Sequence, residues 1–125
     1  MPSLAASTLY AFGITALGAG IHNLFSPQST LQSFQLPLVA LPAANGNSLA
    51  AISMGSYYIL SAYQENRAAF QISVPTRALS ATIFWYAGGL WSVAGVWEGI
   101  GALSTALALG WEMYQERRKF QAKCQ

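Results

Sequence analysis

The chain has one histidine, His22, and four acidic residues, all glutamates: Glu65, Glu98, Glu112 and Glu116. Scarcity makes each proton-active side chain a candidate. Glu98 in a partly desolvated pocket would keep its proton and serve as a general acid. His22 would accept or relay that proton. Asn23 and Asn47 would hold a water or a substrate oxygen beside them. Chemistry of this kind opens epoxides, closes rings or shifts double bonds. The bland alternatives are a Glu98 that keeps a hairpin tip at an interface and a His22 that caps its helix. Glu112 is a second candidate acid, with an ion pair to Arg77 as its structural alternative. Tyr57, Tyr58, Trp85 and Tyr86 lie in apolar runs. They either line a cavity for a flat hydrophobic ligand or pack between helices.

Several chemistries are missing. With one histidine and no aspartate, a Ser–His–Asp triad cannot be assembled, and a haem held by two histidines of one chain is excluded. The single Cys124 allows neither an intramolecular disulfide nor a cysteine-rich metal site. It reads as a surface thiol or a palmitoylation site in a basic tail. There is no glycine-rich phosphate loop and no nucleotide fingerprint. No cofactor and no metal are therefore expected. A net charge of +2 from six basic residues forms no patch for nucleic acid.

The elements that must bring His22, Asn23, Asn47 and Glu98 together follow from an absence. From Met1 to Gln64 there is no Lys, Arg, Asp or Glu. Charged residues make up 8% of the chain, against about 25% in soluble domains. A helix without a polar face has no side to turn to water. The expected architecture is all-α, a single domain built as a four-span antiparallel transmembrane helix bundle. Spans are expected over residues 4–25, 46–63, 77–97 and 102–115, near the roughly 20 residues that cross hydrocarbon. Residues 28–45 read as an interfacial segment, 64–76 as a hydrophilic loop, 95–101 as a glycine-rich turn and 116–125 as a charged tail. The first 25 residues lack a basic start and a cleavage site, so they do not read as a signal peptide.

This topology puts His22, Asn23, Asn47 and Glu98 at one end of the bundle. It puts all six basic residues at the other end, which the positive-inside rule makes cytosolic together with both termini. The endoplasmic reticulum is the expected membrane. Small residues recur four apart at Ala16/Gly20, Ala51/Gly55, Gly88/Ser92 and Ala102/Ala106/Gly110. Such faces let helices approach closely, within one chain or in a homo-oligomer.

The order of features resembles the small DoxX-like four-helix membrane proteins, including a fungal branch of unknown-function domains. The resemblance is carried by the glycine-rich stretch 13–27 ending in Phe25-Ser26-Pro27, by Phe34-Gln35-Leu36-Pro37, by the small-residue stretch 46–62 and by the paired apolar runs after Arg77. It covers most of the chain. It implies a place beside polyketide or terpenoid enzymes in filamentous fungi and action on lipophilic intermediates, but it transfers no catalytic motif.

Two functions are weighed. One is a membrane-embedded, cofactor-independent enzyme that acts on a small lipophilic intermediate by acid–base catalysis, with epoxide opening as the specific reaction. The other is a non-catalytic scaffold, partner subunit or lipid carrier. A soluble helical domain with a large apolar interface comes third. The expected partners are a lipophilic small molecule and membrane lipid.

Overall fold

The computed structural model describes residues 1–123. Cys124 lies outside the described residues.

Helix α1 spans Leu4–Phe25. Ser3 caps its start, where its Oγ accepts from the Ala6 N–H at 3.1 Å. Pro27 stops it and opens the short helix α2, Pro27–Ser33, at a position where a missing N–H costs nothing. The chain then reverses through Gln35, at φ 53°, and a 3-10 turn at Leu38–Ala40. Helix α3 follows over Leu41–Tyr63. A turn through Glu65 leads to α4, Arg67–Ala87, capped by Asn66, whose Oδ1 accepts from Ala69 N–H at 3.2 Å. Gly88 and Gly89, at φ 73° and 57°, make the last turn. Helix α5 runs over Trp91–Lys123.

The all-helical expectation holds, but the bounds of α3, α4 and α5 differ from those read in the sequence: α4 ends at residue 87, not 97, and α5 continues to 123, so residues 116–123 of the expected charged tail are helical. The segment 28–45 is α2, the 3-10 turn and the first turn of α3; Pro42 sits in that first turn without cost. Helix α4 starts at residue 67, not 77, and carries Pro75 in its interior. Pro75 and Gln71 both lie on the exposed face, so the carbonyl that loses its partner is not sealed in the core. Helix α5 starts at residue 91, not 102. The glycines of 95–101 are therefore helical. Gly88-Gly89 makes the turn because both residues need the left-handed region.

Two helices, α1 and α5, are long and apolar enough to cross a membrane. Helix α3, of 23 residues, carries four serines and two asparagines, and helix α4, of 21 residues, carries two serines and two arginines.

Helix α1 packs against both α3 and α5, and α4 packs against α5. The α1–α3 approach is backbone to backbone. A Cβ at Gly55 would stand 2.6 Å from Leu17 N and 2.7 Å from Gly13 O. Gly20 is equally tight against Ser48 and Ile52. These small residues are thus used inside the chain. A Cβ at Gly110 would meet nothing, and Gly88 lies in the turn. The core gathers Leu9, Phe12, Tyr58 and Phe70. Around it the usual burial order is inverted: Ser48, Ser73, Arg77 and Thr105 are buried, whereas Ile14, Ile83, Leu103 and Leu107 are exposed.

Charged residues tie one end of the bundle together. Ser3 N–H donates to Glu65 Oε1 at 2.7 Å, and Ala5 N–H donates to Glu112 Oε1 at 2.9 Å. Arg67 pairs with Glu116 and, at 3.7 Å, with Glu112. The expected Arg77–Glu112 pair does not form, because the early start of α4 gives that place to Arg67.

Hydrogen bonding from Ser3 holds the Glu65 carboxyl below its ordinary range, and hydrogen bonding from Arg67 does the same for Glu116. A carboxyl with a lowered folded-state pKa adds stability that is complete above the unfolded value and disappears as pH falls through the folded one. The thermal midpoint of the purified protein should therefore fall as pH drops below the ordinary carboxylate range. Both groups are exposed, so the drop should be small. Glu65→Gln/Glu116→Gln should flatten it; an unchanged pH profile would show that these contacts add nothing.

Candidate active site

Arg77 lies midway along α4 and is 2% exposed. Its guanidinium carbon stands 3.4 Å from the centroid of the Phe12 ring and 5.8 Å from that of Tyr58. A cation over an aromatic face is attracted by the ring quadrupole, more strongly where water is excluded. Arg77 Nε is 3.5 Å from Glu98 Oε2. Arg77 Nη1 donates at 3.5 Å to Thr105 Oγ1, which itself contacts Thr8 Oγ1 at 3.0 Å and donates to Gly101 O at 3.0 Å. The guanidinium fits only because residue 101 has no side chain, since a Cβ there would collide with it. The set is incompletely paired: Arg77 Nε and Nη2 and Glu98 Oε2 are buried without a hydrogen-bond partner. Buried polar atoms without partners are costly and uncommon, and each has its explanation in strain, chemistry or bound water.

Above this pair lies a cavity of ≈ 530 Å³ between α1, α3 and α5. Phe12, Tyr58 and Glu98 line it beside Arg77, and the half-buried Asn23 and Thr30 and the exposed Asn47 line it toward the C-terminal end of α1, its more open mouth. The wall is aromatic. Trp97 stacks on Phe12 with centroids 4.1 Å apart. Trp91 lies 4.5 Å from Phe34 and 5.5 Å from Phe84, centroid to centroid. A mostly apolar cavity with few polar groups is the usual form of a small-molecule site.

Of the residues singled out in the sequence, Glu98, Tyr58, Asn23 and Asn47 line this cavity. The others do not. His22 is exposed and outside the cavity lining. It is one residue from Asn23, a step of about 100° around a helix. Its carbonyl accepts from Ser26 N–H at 3.0 Å, an ordinary helix-end contact. The expected His22–Glu98 proton pair is therefore not assembled. Tyr57, Trp85 and Tyr86 are 67%, 60% and 85% exposed and do not line this cavity; Trp85 and Tyr86 line a separate open groove beside Gly95 and Val96. Their neighbours Tyr58 and Phe84 face in instead. Glu112 sits at the charged end, bonded to Ala5 N–H.

Arg77, Phe12, Thr105 and Gly101 were not singled out as site residues. The available signal was an arginine within an apolar run. The hydrophilic character of 64–76 puts Arg77 at the end of an expected span and conceals it. Among the described residues no three of His, Cys, Asp and Glu cluster as metal ligands. Comparison with family models, curated proteins and solved structures finds no match for this chain. The DoxX-like resemblance thus rests on the sequence features alone.

Proposed function

We propose that this chain is a four-span membrane protein that takes a small lipophilic molecule into the cavity and opens an epoxide on it by acid–base chemistry. The outward apolar residues of all four long helices support embedding. Arg67, Arg117, Arg118, Lys119 and Lys123 gather at one end, which the positive-inside rule assigns to the cytosol. The endoplasmic reticulum is the membrane we assign.

One observation carries the enzyme reading: Glu98 presents a buried, incompletely bonded carboxylate to an apolar cavity that Tyr58 also lines. In this reading Glu98, with Arg77 beside it, is the proton acceptor. It takes a proton from a water whose oxygen attacks one epoxide carbon. The C–O bond to the other oxygen breaks, and the Tyr58 hydroxyl gives its proton to that departing alkoxide. Proton return from Glu98 to the Tyr58 phenolate closes the cycle, and the product is a diol. Excluding bulk water strengthens both contacts.

The test is turnover of a panel of lipophilic epoxides by protein purified from membranes. Glu98→Gln should lower the rate at least about a hundredfold, the lower range for a general base. His22→Ala should leave it unchanged. Full turnover by Glu98→Gln would remove the assigned chemistry. The carrier alternative uses the same cavity and predicts binding without conversion in both the parent protein and Glu98→Gln.

A further inference from the structure

Building on the reading of the cavity as a lipophile site, we infer that its guest is an elongated, uncharged lipophile with a hydrogen-bonding oxygen at each end. The polar lining stands in two separate places. Asn23, Thr30 and Asn47 are at the mouth, and Glu98 and Tyr58 are at the inner end, beside Arg77. The Thr8–Thr105 contact fixes the register of antiparallel α1 and α5. Seven residues back from Thr105 is Glu98, and seven on from Thr8 is Thr15. Asn23 lies eight residues further along α1, so about 12 Å of helix rise separates the two polar groups. The rest of the lining is apolar, with Phe34, Ala51, Met54, Phe84, Trp91 and Trp97 its larger members. Asn23 and Asn47 therefore cannot hold a water against Glu98, and their amides serve another atom.

Each end has a hydrogen-bonding group to offer. Glu98 Oε2 is buried without a partner, so it accepts from a hydroxyl or a water on the guest's reacting oxygen. At the mouth, Asn23 Oδ1 accepts from Thr30 Oγ1 at 3.2 Å, which leaves its amide N–H groups as donors. Asn47 stands across from it on α3. A guest with one polar end leaves the amide donors of the half-buried Asn23 and the exposed Asn47 unused and forgoes the hydrogen bond they offer. A carboxylate guest would bring a second negative charge to Glu98, so the inner oxygen is neutral.

The experiment compares decanediol, with a hydroxyl at each end, with decanol and butanediol. Binding to the full protein in lipid nanodiscs is read by fluorescence of the cavity tryptophans and by thermal midpoint. Decanediol should bind about threefold to tenfold tighter than decanol, the net value of one well-placed hydrogen bond. Butanediol, too short to reach both ends, should bind weakest. Asn23→Leu/Asn47→Leu should bring decanediol down to decanol while decanol itself holds its affinity. Equal binding of decanol and decanediol, or a preference that survives the double substitution, would overturn the two-ended guest and leave the lipophile site standing. Binding of none of the three would overturn both.

Discussion

Replacing Arg77 by methionine is expected to destabilise the protein by about 3–5 kcal/mol, the cost of leaving one member of a buried ion pair alone. Methionine keeps much of the volume over Phe12, so the loss is chiefly electrostatic. Glu98→Met alone should cost a comparable amount, because it strands the guanidinium among Phe12, Tyr58 and Thr105. Arg77→Met/Glu98→Met should recover most of either loss, since two apolar side chains carry no unpaired charge. The measurement is a double-mutant cycle of unfolding free energies in one detergent. Additive losses would show that the two charges do not interact. The double variant should also be folded and inactive, which separates chemistry from stability. A pair kept only for stability would be replaceable on both counts.

How much of this was legible in the sequence depends on which physical signal each residue carried. The helices were legible, because a charge-free apolar run has few other ways to satisfy its backbone. Residues 4–25 form α1 as read, since Ser3 and Pro27 mark its ends by local chemistry. Pro75 and the glycines of 95–101 carried the opposite local signals from their tertiary roles. Proline is tolerated on the exposed face of α4. Gly95 and Gly101 are small because Ala81 and Arg77 press on them from α4. That reason lives in packing, and spacing along the chain does not show it. Glu98 stood out by rarity. Choosing Tyr58 over Tyr57, or Asn23 over His22, needed the phase of each helix to within one residue. A nearly uniformly apolar helix does not give that phase, because both of its faces look alike.

Gly101→Ala gives the sharpest contrast with sequence-level expectation. Glycine within a helix costs roughly 0.5–1 kcal/mol relative to alanine, so replacing it should help wherever there is room. There is room at Gly110, where an added Cβ meets nothing, and at Gly99, where it would lie 3.8 Å from the Ala81 Cβ. Gly99→Ala and Gly110→Ala should each raise stability by about that amount. At Gly101 the methyl falls on the guanidinium of Arg77 and crowds the edge of the Phe12 ring. Arg77 must then leave Glu98 and Thr105, and the cost should approach the roughly 3 kcal/mol of a broken buried pair. The decisive comparison is in the Arg77→Ala background. There the guanidinium is gone, only the Phe12 edge must shift, and Gly101→Ala should lose most of its penalty. Unfolding of these four variants alongside the double variant Arg77→Ala/Gly101→Ala reads the coupling directly. If Gly101→Ala stabilises the parent protein as Gly99→Ala does, the guanidinium does not occupy that space, and the Glu98 site loses its counter-charge.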